Sequence, residues 1–205
     1  MLDLNDIPGF TEPSQLLTFQ RIAKQIPANC NVLEIGAAFG KSTSSWLTAL
    51  NPMASLTIID NFKLPDENVK EKMETDVYTD GEMSDTKKQL FEYYFKHGQY
   101  ATFKYIINQH HNKHIIKEVF TMRSADYMCL NYANLFDLVY LDGNHTYENV
   151  MAELEYFKRS TLICGDDYSE RHEPVKRAVH DFSKKYNKPL HLFEERVWLI
   201  GEFNG

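Results

Sequence analysis

Chemistry-bearing side chains gather in a few short stretches of this sequence. Asp142-Gly143-Asn144-His145-Thr146-Tyr147 and Gly165-Asp166-Asp167-Tyr168 together offer three aspartates and an imidazole. Carboxylates hold hard divalent cations, and a histidine with an ordinary pKa of about 6.5 can take a proton near neutrality. A third stretch, Asn31-Val32-Leu33-Glu34-Ile35-Gly36-Ala37-Ala38-Phe39-Gly40, ends an apolar run in glycines and leads straight into Lys41-Ser42-Thr43-Ser44. Such a strand, tight turn and helix start can bring bare backbone and free N–H groups up to a polar ligand. Ala38 stands where the dinucleotide fingerprint has its second glycine, so the pattern is acidic-x-Gly-x-x-x-Gly. Asp60 ends the next apolar run and is placed to accept hydrogen bonds from ribose hydroxyls. Each position also has a plain structural role open to it. Asp142 can cap a helix, His145 can be a solvated first-turn histidine, and Asp60 can be an ordinary loop aspartate. Asp166 and Asp167 can face one ion only if their strand has already ended, because neighbours in a strand point to opposite faces.

The elements that must position these residues follow from hydrophobic periodicity. Residues 14–26 read as an amphipathic helix with Leu16, Phe19, Ile22, Ala23 and Ile26 on one face, capped by Thr11 or Ser14 and stopped by Pro27. Strands are predicted at 31–36, 55–60, about 115–121, 136–141 and 161–165. Helices are predicted at about 41–50, at 100–113 and from a Ser124-Ala125-Asp126 cap to about 133. Two more carry Tyr147, Val150, Met151, Leu154 and Phe157, and Val175, Ala178, Val179 and Phe182, at helical spacing. Leu190-His191-Leu192-Phe193 and Val197-Trp198-Leu199-Ile200, on either side of Glu194-Glu195-Arg196, read as an antiparallel hairpin. Strands alternating with helices imply an α/β, Rossmann-like, doubly wound sheet with helices on both faces. Ligands of such sheets bind at the carboxyl ends of the strands, where Gly36, Asp60, Asp142 and Asp166 all fall.

Residues 61–98 interrupt the alternation. They hold nine acidic and six basic residues and few aliphatics before Leu90. Thr79-Asp80-Gly81-Glu82 reads as a turn, and Ser84 opens a helix through His97 with Leu90, Phe91, Tyr94 and Phe95 as its stripe. The stretch reads as a lid-like insertion over the ligand face, or as a solvated excursion.

A chain of 205 residues suits one domain, 1–205, able to bury a sizeable core. The net charge of −7 argues against general nucleic-acid binding. No apolar stretch is long enough to span a bilayer, and the first residues lack the basic and apolar regions of a signal peptide. Cys30, Cys129 and Cys164 fit neither a disulfide framework nor a zinc site and read as buried free thiols in a cytoplasmic protein. His110, His111 and His114 read as solvated side chains near a helix end.

Taken in order, these motifs resemble class I S-adenosylmethionine-dependent methyltransferases, and within them the macrocin-type sugar O-methyltransferases. The specific part is the pairing of Asp142-Gly143-Asn144-His145-Thr146-Tyr147 with Gly165-Asp166-Asp167-Tyr168 on neighbouring strands. The resemblance implies a mostly parallel sheet with an antiparallel C-terminal strand. It implies that Glu34, Gly36 and Gly40, with Ala37 and Ser42, line the methionine and ribose side of S-adenosylmethionine. Asp60 with Asn61 would hold the ribose, Ser124 and Asp126 would lie by the adenine, and Asp142 would close the cofactor site. It further implies Mg²⁺ on Asp142, Asp166 and Asp167. Asn144 stands where some relatives have a second aspartate, which leaves His145 as the nearer base, beside Asp142. The acceptor would be a small hydroxylated molecule such as a sugar. A nicotinamide-dependent oxidoreductase and a non-catalytic binding module of the same fold are the competing readings, and the oligomeric state, a homodimer included, is left open.

Overall fold

The computed structural model describes residues 2–80, 83–130, 135–193 and 196–203, with the backbone alone for 75–80. Its centre is β1 (Asn31–Ile35), buried at every position after Asn31. Alternation along this strand sends Val32 into one apolar layer and Leu33 and Ile35 into the other, which leaves Glu34 on the Val32 face. Beside β1 lie β2 (Ser55–Ile59) and then β3 (Ile116–Phe120). On its other side the order continues with β4 (Leu138–Leu141), β5 (Leu162–Gly165), β7 (Trp198–Ile200) and β6 (Leu190–Leu192). β1 through β5 are parallel, and β7 runs antiparallel to both of its neighbours. Strand order therefore reverses between β1 and β4, the switch point at which such sheets bind ligands.

One face of the sheet carries α1 (Pro13–Ala23), α2 (Lys41–Ala49), α4 (Asp85–His97) and α5 (Gln99–Asn108). The other carries α6 (Ser124–Cys129), α7 (Tyr147–Tyr156) and α8 (Glu173–Tyr186). Phe19 of α1, Trp46 of α2 and Tyr140 of β4 interlock with ring centroids 4.8–5.6 Å apart. Each such pair adds about 0.5–1.5 kcal/mol beyond area burial. The cluster also fixes Tyr140, whose hydroxyl reaches into the site described below.

Several elements differ from the sequence reading. α1 opens at Pro13 with Glu12 as its N-cap, because proline at the first position presets the helical φ. The acidic half of 61–98 is helical: α3 (Asp66–Asp80) seats Val69 in the core. α4 is a core helix, with Leu90, Phe91 and Tyr94 buried and Tyr94 packed edge-on to Phe39 at 5.3 Å. α5 stops at Asn108. His110 beyond it is buried, and desolvation lowers its pKa to about 4. α6 is capped by Arg123, one residue before Ser124. Cys30 and Cys164 are buried, whereas Cys129 is exposed. Gly81-Glu82, Glu194-Glu195 and the end of the predicted 124–133 helix past Leu130 lie outside the described residues. Among the described residues no helix is long and apolar enough to cross a membrane.

Candidate active site

A cavity of about 1100 Å³ opens at the carboxyl ends of β1, β2, β4 and β5. Ligand sites typically measure about 300–1,000 Å³, so this one lies at the upper end of that range. One end is the turn after β1. Gly36 is at φ +91°, and a Cβ there would lie 2.0 Å from the Asp142 carbonyl oxygen. The glycine is thus required where β1 and β4 leave the sheet side by side, more than by a ligand's approach. Asp60 locks the turn from the end of β2. Its carboxylate accepts from the Ala38 N–H at 2.8 Å and from the Phe62 N–H at 2.5 Å, and burial raises its pKa. Ala38, the donor of the first of these bonds, sits at φ +48°.

Not every predicted cofactor residue reaches the cavity. Gly36, Ala37, Ser42, Asp60, Asn61, Ser124 and Asp142 line it; Glu34, Gly40 and Asp126 do not. Glu34 is fully buried beneath the first turn of α2. There it accepts from the Ser42 and Thr43 hydroxyls at 2.6 and 2.7 Å, and desolvation pushes its pKa to about 8. It ties β1 to α2, because strand parity turns it away from the ligand. Gly40, at φ +93°, faces Phe103 and Ile107 of α5, either of which a Cβ would meet at 3.1 Å. Asp126 is paired with Arg123 through two 2.9 Å bonds at the surface, and Ser124 bonds the buried Glu153.

The other end of the cavity is ionic. His145 Nε2 lies 3.1 Å from Asp167 Oδ2 and 3.7 Å from Asp142 Oδ1. The Asp142 carboxylate, together with the charges of Asp167 and Asp166, outweighs desolvation and raises the pKa of His145. Burial raises Asp142 as well, against the bonds it receives; Tyr140 donates to its Oδ2 at 2.9 Å. Thr146 caps α7, so the helix-capping role open to Asp142 falls to another residue. β5 ends at Gly165, and Asp167 sits at φ +67°, so the two aspartates turn to different partners. Asp166 Oδ1 accepts from Gln15 at 2.6 Å and from the Asp167 N–H at 2.6 Å. Burial and the charges of Asp142 and Asp167 push its pKa to about 7. Asp167 Oδ1 is 2.8 Å from His172 Nδ1 and 3.4 Å from Arg196 Nη1. Three carboxylates therefore do not converge on one point. Among the described residues the donor atoms that gather are those of His145, Asp167 and His172.

A family model described as a methyltransferase domain matches residues 33–168. The chain belongs to this methyltransferase family. Its fold is that of class I S-adenosylmethionine-dependent methyltransferases, and solved structures agree. The O-methyltransferase from Bacillus cereus, in complex with SAH, is 15% identical with a TM-score of 0.54, over 96% of this chain and 85% of its own. Cofactor-bound Rv0187 from MTB is 13% identical with a TM-score of 0.61, over 96% and 85%. TomG from Streptomyces achromogenes, an O-methyltransferase involved in tomaymycin synthesis and solved in complex with SAM, is 12% identical with a TM-score of 0.53, over 94% and 80%. At these identities the likeness speaks for the fold alone. No curated protein matches the chain.

Three residues of the ionic end of this methyltransferase domain carry no sequence signal: Gln15, His172 and Arg196. Gln15 reads as one more polar residue of an amphipathic helix, yet it is fully buried and accepts from the Glu12 N–H at 2.7 Å while donating to Asp166. His172 lies in a short 3-10 helix, Glu170–His172, and desolvation lowers its pKa. Arg196 lies in the segment between the last two strands, at φ +72°. Gln15, His172 and Arg196 fall outside the matched residues 33–168.

Proposed function

We propose that the protein is an S-adenosylmethionine-dependent O-methyltransferase acting on a small hydroxylated acceptor such as a sugar or glycoside. One observation carries this reading: a single cavity has the Gly36–Asp60 turn at one end and His145, flanked by Asp142 and Asp167, at the other. The Bacillus cereus and Streptomyces achromogenes O-methyltransferases, solved with SAH and SAM, share the fold and support the assignment. When bound, the cofactor supplies an electrophilic methyl group on a sulfonium. Asp60 retains acceptor capacity for ribose hydroxyls beyond the backbone bonds it makes, because a carboxylate offers about four lone-pair sites. The far end then receives the acceptor. His145 takes the proton of the attacking hydroxyl, and Asp142 and Asp167 stabilise the imidazolium. The carboxylates around it raise its pKa, which makes it a stronger proton acceptor. The Mg²⁺ set of Asp142, Asp166 and Asp167 does not fit this donor arrangement, since the donor atoms that gather among the described residues are those of His145, Asp167 and His172. The 61–98 insertion contributes the first turns of α3, with Asn68, Glu71 and Lys72 on the cavity wall, and this helix is the part that acts as a lid.

Calorimetry with S-adenosylhomocysteine and transfer of a labelled methyl group to a panel of sugars and glycosides test the reading. Binding of S-adenosylhomocysteine in preference to NAD, with label in at least one acceptor, is expected. Failure to bind it at millimolar concentration overturns the assignment, and binding without any turnover leaves a non-catalytic module.

A further inference from the structure

We propose that His145, Asp167 and His172 form a binding site for a divalent first-row transition ion such as Zn²⁺. The ligand atoms are His145 Nε2, the Asp167 carboxylate and His172 Nδ1, all within 4.8 Å of one another. Asp167 stands between the two imidazoles, Oδ2 at 3.1 Å from one and Oδ1 at 2.8 Å from the other. A second observation points the same way. His172 Nδ1 is buried and has no hydrogen-bond partner among the described residues, so its short approach to Asp167 is not aligned as an N–H···O bond. A buried nitrogen facing a carboxylate without a bond is satisfied by a cation that both can ligate. Zinc–nitrogen and zinc–oxygen bonds of about 2.0–2.2 Å join ligand atoms up to about 4 Å apart, and the 3.1 and 2.8 Å spacings from Asp167 to the two imidazoles lie within that reach.

Two nitrogens and one carboxylate suit borderline ions such as Zn²⁺ and Co²⁺. Mg²⁺ takes oxygen ligands and dehydrates reluctantly. Three protein ligands leave coordination positions open, and all three residues line the cavity. Arg196, 3.4 Å from Asp167 Oδ1, neutralises that carboxylate in the metal-free protein and competes with the ion. Coordination uses the lone pair of His145 Nε2 that would otherwise take the acceptor's proton. Ion and proton therefore exclude one another at this atom. That last consequence rests on the methyl-transfer reading; the site itself does not.

The test is titration of the full chain with Zn²⁺ and Co²⁺, followed by calorimetry and by the visible Co²⁺ spectrum. The expected result is one ion per chain at micromolar concentration, a Co²⁺ spectrum of low-symmetry coordination, and no displacement by millimolar Mg²⁺. His172→Ala should weaken Zn²⁺ binding by about 100-fold or more. Arg196→Gln should tighten it. If His172→Ala melts early by circular dichroism, His172→Asn removes the same ligand with less loss of volume. Absence of binding to the wild type, binding unchanged in a folded His172 variant, or displacement by Mg²⁺ overturns the site. None of these readouts uses methyl transfer, so failure of the site and failure of the enzymatic reading are distinguishable.

Discussion

At the loop end of the cavity, the Ala38 N–H and the Asp60 carboxylate that locks it are 22 residues apart in the chain. At the ionic end, Asp166 and the Gln15 amide that holds it are 151 apart. The loop end is built from backbone: a left-handed glycine, a left-handed alanine and a carboxylate that accepts main-chain N–H groups. The ionic end is built from side chains of α1, the segment after β4, the turn after β5, a 3-10 helix and the segment before β7. A site made of backbone changes when the fold changes. A site made of clustered charges changes with pH, with ligands and with single conservative substitutions, while the fold persists. The same sheet edge thus carries a cradle built from backbone and an end built from clustered charges.

The most severe break in this contrast is expected from Gly36→Val. The new Cβ would lie 2.0 Å from the Asp142 carbonyl at a backbone angle that β-branched residues avoid, so both ends of the cavity move together. Loss of a cooperative melt by circular dichroism is the expected outcome. A native-like melt with only cofactor binding lost would return Gly36 to a purely ligand-facing role. His145→Ala acts at the ionic end alone. It should lower kcat by about 10²–10⁴-fold with S-adenosylhomocysteine affinity almost unchanged, as read by steady-state kinetics and calorimetry. Wild-type turnover in this variant would make His145 a bystander.

Glu34→Gln sharpens the comparison from the loop side. The folded protein holds this carboxyl at about 8, above its ordinary 4.5, so the unfolded chain ionises first. The stability that neutral Glu34 allows is fully present below about pH 4.5 and is lost as pH rises toward 8. The glutamine variant should therefore gain on the wild type across that window, by an amount on the order of a few kcal/mol at its upper end. Denaturant midpoints at the two ends of the window measure it; a gap independent of pH would mean that Glu34 stays ionised in its buried bonds. The smallest effect concerns the insertion. Amide exchange in α3 should slow when cofactor and acceptor are both bound, while α4, already packed in the core, should change little. Equal responses of the two helices would count against a lid confined to α3.

Periodicity and turn residues alone were enough to mark which segments are strands, with bounds shifted by one or two residues, and to bring Gly36, Asp60, Asp142 and Asp166 to one edge. Those features depend on alternation and helical spacing over a few residues, which are written locally. The partners of each side chain were decided by the tertiary structure. Glu34 sits in the same motif as Gly36, but the two-residue repeat of β1 turns it under α2 and away from the cavity. Gly40 meets α5, an element some sixty residues downstream whose position no local pattern reveals. Asp166 and Asp167 are adjacent in sequence, and β5 does end before them, but the left-handed backbone at Asp167 sends one to Gln15 and the other between two imidazoles. A carboxylate's chemistry is set by the few ångströms around it, and at this end of the cavity Gln15 and Arg196 reach those ångströms only when α1 and the segment before β7 pack against the sheet.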